Sequence, residues 1–283
     1  MFKLLSVKQY FWVLLLLAPF YAKASHFAGG DIEYENIGPR QWKVRLTFYR
    51  DCGGILLCGS GGCTLTMIAR PTYNLGLNPV GCPATPNRVN FTVNLVSVQD
   101  AESFRKQACP TFKNGCTNIG QVTAGPNTPS IEKYVFEGTL NLNFPTLNNT
   151  PCKYWDVALE DCCRNAGIWN LVNNQEMRLS STINIFNRSQ GGVLNNNSPI
   201  LTNEAVLVVP SNTEQSITIG AIDPDGDSLT YALESAKQIN GNPVMYQVPG
   251  SPIYPFPLLS NRPPHIYYPQ PNGPYVVIDS TTG

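Results

Sequence analysis

The stretch that decides the fold is Trp42–Tyr49 (WKVRLTFY), in which apolar and polar side chains alternate. Successive side chains of a β-strand point to opposite faces, so this period of two predicts a strand with one buried face. Upstream, Ile32 and Tyr34 begin a partner strand, and Ile37-Gly38-Pro39 is placed to form the hairpin loop between them. The sequence therefore predicts an antiparallel hairpin near its N-terminus.

Further strands are predicted where short apolar, β-branched or aromatic runs recur between turn residues. The candidates before residue 189 are Leu65–Ile68, Val89–Val98, Tyr134–Leu142, Trp155–Leu159 and Ser180–Phe186. The candidates after it are Ala205–Val209, Ser216–Ile219, Leu229–Leu233 and Tyr275–Ile278. Because no segment carries a sustained apolar stripe at helical spacing, the fold class is predicted to be all-β.

Composition narrows the class of partner. Hydrophobic residues make up 42% of the 283 residues, which is enough for packed cores and argues against wholesale disorder. Charged residues make up 13%, and the formal net charge is zero. A neutral chain has no electrostatic attraction to nucleic acid or to an anionic membrane surface, so neither is an expected partner.

The N-terminus has the features of a cleavable signal peptide. Lys3 and Lys8 provide positive charge, Phe11–Ala18 is an apolar run, and Ala22-Lys23-Ala24 fits the small-x-small rule of a signal peptidase site. A membrane anchor is the alternative, but the apolar run is too short to span a bilayer comfortably. We expect residues 1–24 to be removed and the mature protein to be secreted or held at the cell surface, without a membrane span.

Cysteine usage agrees with export. The chain has nine cysteines, all before residue 164, and in an oxidising compartment they are disulfide candidates. They are Cys52, Cys58, Cys63, Cys82, Cys109, Cys116, Cys152, Cys162 and Cys163. An odd count leaves at least one free or paired outside the chain. Connectivity stays open, although the adjacent Cys162 and Cys163 are expected to have separate partners.

Composition also suggests two modules. The Gly- and Asn-rich stretch at 189–198 (SQGGVLNNNS) is typical of a linker. It separates a disulfide-containing β-sandwich-like module at 25–188 from a second one at 199–283. The second module has about four predicted strands and a long Pro- and Tyr-rich loop, Pro249–Pro274, so we expect it to be incomplete, with the natural protein continuing further.

The sharpest local motif is Asp223-Pro224-Asp225-Gly226-Asp227. Three carboxylates alternate across a tight turn, and at this spacing their oxygens can converge on one hard cation such as Ca²⁺. Asp223, Asp225 and Asp227 are therefore candidate Ca²⁺ ligands. The alternative is a polar turn between strands that holds no metal.

Two resemblances to known families add to these predictions. The run Ala221–Tyr231, together with Asn197–Leu201, resembles the cadherin-like, immunoglobulin-like modules of bacterial surface proteins. That likeness implies Ca²⁺ at the acidic turn, with Asn197 as a weaker ligand. Four further runs form a series that resembles the N-terminal region of large modular exported proteins of the Bacteroidetes, of the gliding-motility-associated type. These runs are Ser25–Tyr34, Leu46–Cys52, Tyr134–Gly138 and Cys162–Asn165. This second resemblance implies a surface or adhesion role.

Signatures of catalysis are weak. The two histidines, His26 and His265, lie outside any recognised enzyme motif. Glu160 and Asp161 could serve glycoside hydrolysis, but neighbours on a strand point to opposite faces. The arginines of Arg50-Asp51 and Arg164-Asn165 belong either to a binding site or, as we favour, to contacts that hold backbone or carboxylate groups.

The sequence thus favours an exported, non-catalytic structural or adhesion protein of the cell surface, with modules stiffened by disulfides and Ca²⁺. Its expected partners are other surface proteins or extracellular glycans. The alternative is a carbohydrate-binding accessory region of a larger secreted enzyme, in which the aromatic side chains around Pro249–Pro274 would face sugar rings.

Overall fold

A computed structural model describes residues 27–51, 57, 62–72, 88–100, 131–142, 152, 154–161, 164, 168, 171–172, 175–185, 196–204, 218, 220–246 and 280–281. The strands are β1 (Phe27–Gly38), β2 (Gln41–Asp51), β3 (Thr64–Pro71), β4 (Val89–Asp100), β5 (Ile131–Asn141), β6 (Tyr154–Asp161), β7 (Met177–Asn184), β8 (Ile200–Leu201) and β9 (Ala221–Ile222). This part of the chain is all-β, as predicted. It contains no helix of a length and apolarity that would cross a membrane.

Seven strands form one antiparallel sheet in the order β1-β2-β5-β4-β3-β6-β7. The predicted hairpin is confirmed, because Ile32 pairs with Leu46 and Tyr34 pairs with Val44. Its turn is Pro39-Arg40, where Arg40 adopts a positive φ of 56°. The predicted strands from β3 to β6 are also present. The strand expected at 180–186 forms three residues earlier, as β7.

The sheet curls until its two edge strands meet. The Tyr34 hydroxyl of β1 donates a hydrogen bond to the Thr182 carbonyl of β7 over 2.9 Å. Beside it, a Cβ atom added to Gly30 would lie 2.8 Å from Leu179 Cδ1 and would overlap the Thr47 carbonyl oxygen. Glycine at this position leaves room for the backbone of β2 and for the Leu179 side chain of β7. The result is a near-barrel, in which a single sheet faces itself across the core.

The core is filled by the inward face of each strand. The alternating residues Trp42, Val44 and Leu46 of β2 are 0% exposed, as are Phe136 of β5 and Trp155 of β6. These side chains pack together in one cluster. The period of two therefore has the predicted cause from Trp42 to Leu46, where one face of the strand points into the barrel. Beyond Leu46 both faces of β2 are covered, because Thr47 and Tyr49 are 6% and 1% exposed.

A charged pair lies inside the barrel. Arg50 Nη1 lies 2.8 Å from Glu132 Oε2, and the two side chains are 2% and 0% exposed. The Tyr134 hydroxyl donates to the same carboxylate oxygen over 2.9 Å. Burial and the neighbouring Glu132 charge raise the pKa of Tyr134 to about 12. The Arg50 and Glu132 charges compensate each other in an interior where either one alone would be costly.

The described part of 199–283 contains the two short strands β8 and β9, which pair with each other. The strand predicted at Leu229–Leu233 is wrong. Those residues are not in a strand, and Tyr231 N donates a backbone hydrogen bond to Ser280 O over 3.0 Å. The strands predicted at Ala205–Val209 and Tyr275–Ile278 lie outside the described residues, as do most of Ser216–Ile219 and the loop Pro249–Pro274.

Candidate functional site

The end of the predicted linker is attached to the barrel. Ser198 Oγ accepts a hydrogen bond from Tyr34 N, and Ser198 N donates to Tyr34 O, both over 2.8 Å. Two residues further along β1, Asn36 N donates to Asn197 Oδ1 over 2.8 Å. Ser198 is 4% exposed. Residues 197 and 198 therefore satisfy the outer edge of β1 and are part of the folded unit.

The acidic motif forms a tight turn held by its own side chains. Asp223 Oδ1 accepts hydrogen bonds from Asp225 N over 2.8 Å and from Asp227 N over 3.3 Å. Gly226 has a positive φ of 81°, and its N–H donates to Asp223 O over 3.2 Å. An Asp side chain that caps its own turn, followed by a left-handed glycine, is the expected chemistry of a polar turn.

Asp225 joins this turn to the linker. Its Oδ2 accepts from Asn197 N over 2.7 Å, and its Oδ1 accepts from Asn197 Nδ2 over 2.9 Å. Asn197 thus lies between β1 and the acidic turn. Folding has brought together two residues that belong to separate motifs of the sequence.

Hydrogen bonds from within the chain engage part of the carboxylate oxygens of the acidic turn. Three of their carboxylate oxygens accept hydrogen bonds from within the chain, one on Asp223 and two on Asp225. Among the residues that the structure describes, no group of three or more His, Cys, Asp or Glu side chains is arranged to hold a metal ion. Ca²⁺ at Asp223, Asp225 and Asp227 stays a prediction.

A cleft of about 290 Å³ opens between the outer face of the β1–β2 hairpin and these attached segments. Its lining combines four charged side chains of the hairpin with polar and apolar residues of the linker and turn. The lining residues are Glu33, Tyr34, Glu35, Lys43, Arg45, Asn197, Ser198, Ile200 and Pro224. This cleft is the candidate functional site, because it is concave, chemically mixed and next to the acidic turn.

The two cations of the cleft form ion pairs with Glu137 of β5. Lys43 Nζ lies 2.8 Å from Glu137 Oε2, and Arg45 donates to Glu137 Oε1 from Nε over 3.0 Å and from Nη2 over 2.8 Å. The hydrogen bonds from Lys43 and Arg45 hold the pKa of Glu137 below its usual range. The hydrogen bond to Glu137 in turn raises the pKa of Arg45.

The two carboxylates of the cleft lack such partners. In the β1–β2 register, Glu33 is opposite Arg45 and Glu35 is opposite Lys43. Both cations nevertheless form their ion pairs with Glu137 of β5. Within the described part of the chain, neither Glu33 nor Glu35 has a hydrogen bond or an ion pair through its carboxylate. The cleft thus presents negative charge that is balanced only at a distance.

A third carboxylate on the same face, that of Asp31, has a pKa raised by burial. Burial, reinforced by the nearby Glu33 charge, raises the pKa of Asp31 from 3.8 to about 6, although a hydrogen bond from Thr47 opposes the shift. The folded protein therefore holds this proton more tightly than the unfolded chain does. It follows that ionisation of Asp31 lowers folding stability as the pH rises from about 4 to about 6.

A second attachment lies at the start of β7. Gln175 Nε2 donates to Met245 O and Gln175 Oε1 accepts from Met245 N, both over 2.7 Å, so this side chain imitates a strand neighbour. Arg164 donates from Nη2 to Lys237 O over 2.9 Å. Burial lowers the pKa of Arg164. Residues 237–246 are thereby held against the barrel.

The structure gives both motif arginines structural roles, as favoured. Arg50 holds the Glu132 carboxylate, and Arg164 holds the backbone carbonyls of Glu176 and Lys237. Their cysteine neighbours Cys52, Cys162 and Cys163 lie outside the described residues, as do Cys58, Cys82, Cys109 and Cys116.

The carboxylate pair considered for hydrolysis has a structural environment. Glu160 Oε1 lies 3.1 Å from Arg70 Nη2 and 3.2 Å from Arg178 Nε, and its side chain is 9% exposed. Arg178 also contacts Asp156. A glutamate that is buried between two arginines lacks the access to substrate that a general acid needs.

Sequence reasoning missed Glu33, Glu35 and Gln175 as site residues. The alternation of side chains on β1 places the two glutamates on the outer face, and this pattern could have identified them as exposed candidates. Gln175 carries no local signal, because its partner Met245 is 70 residues away in the chain.

Comparison of the chain with protein-family models, with curated proteins and with solved structures finds no match.

Proposed function

We propose that this chain is a non-catalytic structural or adhesion protein of the cell surface. Export would use the signal peptide in residues 1–24, and the mature protein would present a rigid β-scaffold outside the membrane. Beyond the sequence features, one observation of the fold supports this role, namely the attachment of residues 197–246 to the barrel at two separate places.

That double attachment carries the proposal. One contact joins Asn197 and Ser198 to β1, and the other joins Met245 to Gln175. Between them, the acidic turn is linked back to Asn197. A segment that is held at both ends leaves the barrel only after both sets of hydrogen bonds have broken. Such resistance is what a surface protein under mechanical tension requires.

The chemistry of the charged residues favours a non-catalytic role. Glu132 and Glu160, two buried carboxylates of the described part of the chain, are neutralised by arginines. Carboxylates buried against arginines compensate charge inside the fold and have little access to a substrate.

Disulfides are a second part of the proposal. Of the nine cysteines, Cys63 and Cys152 belong to the described residues, and neither is a free thiol. Cys152 is 2% exposed, and Cys63 packs against the core cluster. Peptide mapping of the unreduced protein should find both in disulfide-linked peptides.

Ca²⁺ is a third part. Asp223, Asp225 and Asp227 would hold the ion, and we expect a dissociation constant of about 0.1–1 mM, as in extracellular modules. At a hundredfold excess over the dissociation constant, binding would stabilise the fold by about 2.7 kcal/mol. Calorimetric titration should detect saturable binding that is lost in Asp225→Asn. Equal heats for the two proteins would remove Ca²⁺ from the proposal.

The location is tested by protease treatment of intact cells of the organism that makes the protein. An antibody raised against the purified mature chain should lose its signal when intact cells are treated. The matched control lacks residues 1–24 and should stay protected until the cells are lysed. Protection of the natural protein in intact cells, with residues 1–24 still attached, would contradict a surface role.

A further inference from the structure

We propose that the cleft beside β1 binds a lysine or arginine side chain of a partner protein, with the charged end at Glu33 and Glu35 and the aliphatic stem against Ile200. This inference rests on the adhesive role proposed above and names the chemistry of the partner.

Charge complementarity is the first argument. The nearest cations, Lys43 and Arg45, are both fixed on Glu137 at distances of 2.8 Å. This group of five residues, Glu33, Glu35, Glu137, Lys43 and Arg45, therefore has three carboxylates and two cations. The excess charge is negative, and it belongs to the two carboxylates that have no direct partner in the described part of the chain. A cationic group is the ligand that this excess would attract.

The apolar rim is a second and independent argument. Ile200 lines the cleft and is 48% exposed, and its β9 partner Ile222 is 64% exposed. An exposed cross-strand pair of isoleucines beside charged groups suits an amphipathic side chain. Lysine and arginine have this character, because a charged end follows a stem of methylene groups.

Size and rigidity agree with a single side chain. A volume of about 290 Å³ accommodates one long side chain and adjacent backbone. One wall is the β1–β2 hairpin, and the other is held to β1 through Asn197 and Ser198. Since both walls are fixed before binding, little conformational entropy is lost when a ligand enters.

The test uses nuclear magnetic resonance titration of the isotope-labelled mature chain with an acetylated, amidated Val-Lys-Val peptide. We expect saturable shifts of the amides of Glu33, Glu35 and Ile200, with a dissociation constant on the order of 1 mM. The matched peptide replaces lysine with norleucine, which keeps the stem and removes the charge, and it should bind at least about threefold more weakly. Raising the salt concentration from about 50 mM to about 500 mM should weaken binding of the lysine peptide alone.

Variants locate the site. The double change Glu33→Gln and Glu35→Gln should weaken the lysine peptide about fivefold and leave the norleucine peptide unaffected. Glu176→Gln, at an exposed carboxylate near the other attachment, is the matched control and should bind like the natural chain. The dispersion of the amide spectrum establishes that each variant is folded.

Two results would overturn the inference: equal binding of the lysine and norleucine peptides, or an unchanged affinity in the double variant. Either result, obtained with a chain that protease treatment places at the cell surface, would leave the proposed function intact. Conversely, lysine-peptide binding by a chain that remains inside the cell would support the cleft and contradict the surface role.

Discussion

Replacing Glu132 by Gln should destabilise the barrel strongly. The change keeps the size of the side chain, but it replaces one acceptor oxygen by an NH2 donor. It also leaves the Arg50 charge without its counter-charge in a site where the two side chains are 2% and 0% exposed. Removing one partner of a buried pair costs about 3–5 kcal/mol. For a domain of this size, each kcal/mol lowers the melting temperature by about 2–4 °C. We therefore expect a drop of roughly 6–20 °C.

The assay is urea and thermal unfolding, followed by fluorescence of the buried Trp42 and Trp155. Glu137→Gln is the matched control, because it removes the same charge from a three-residue ion cluster whose cations, Lys43 and Arg45, are 41% and 50% exposed. That control should cost about 1 kcal/mol or less. Equal losses in the two variants would refute the idea that burial makes the Arg50–Glu132 pair different.

Other contacts of the barrel can be tested by single substitutions. Asp31→Asn should stabilise the protein above pH 6 by about 2–3 kcal/mol, because folding raises the pKa of Asp31 from 3.8 to about 6. In urea unfolding, the variant should lose less stability than the natural chain between about pH 4 and pH 6. Gly138→Ala should lower stability by about 1–3 kcal/mol, because the new Cβ would lie 2.8 Å from Val93 Cγ1; no loss in thermal unfolding would contradict that contact. Gln175→Ala should speed hydrogen exchange at Met245 by about tenfold, with little change in global melting temperature; unchanged exchange would mean that other contacts hold this attachment.

Much of the barrel could be predicted from local pattern. The alternation in Trp42–Tyr49 identified β2 and its buried face, and the pairing of Ile32 with Leu46 confirms the hairpin. These predictions succeed because a strand and its inward face depend on side-chain polarity at a period of two, which is written along the chain. The strand predicted at Leu229–Leu233 is wrong, because an apolar run indicates burial and does not by itself determine strand pairing.

The order of the strands could not be predicted in this way. β5 inserts between β2 and β4, so residues about 90 positions apart, such as Arg45 and Glu137, become neighbours. Pairings of this range depend on how the whole sheet closes, including the approach of Leu179 to Gly30. Local propensity carries no information about that closure.

The candidate site also has one part that local sequence specifies and one part that only the tertiary structure forms. Local sequence specifies the tight acidic turn, because Asp223 caps it and Gly226 supplies the positive φ within a few residues. The cleft exists only after residues 28 positions apart, Asn197 and Asp225, meet beside β1. The turn forms through contacts between near neighbours, whereas the cleft forms between segments whose proximity is set by the packing of the complete barrel.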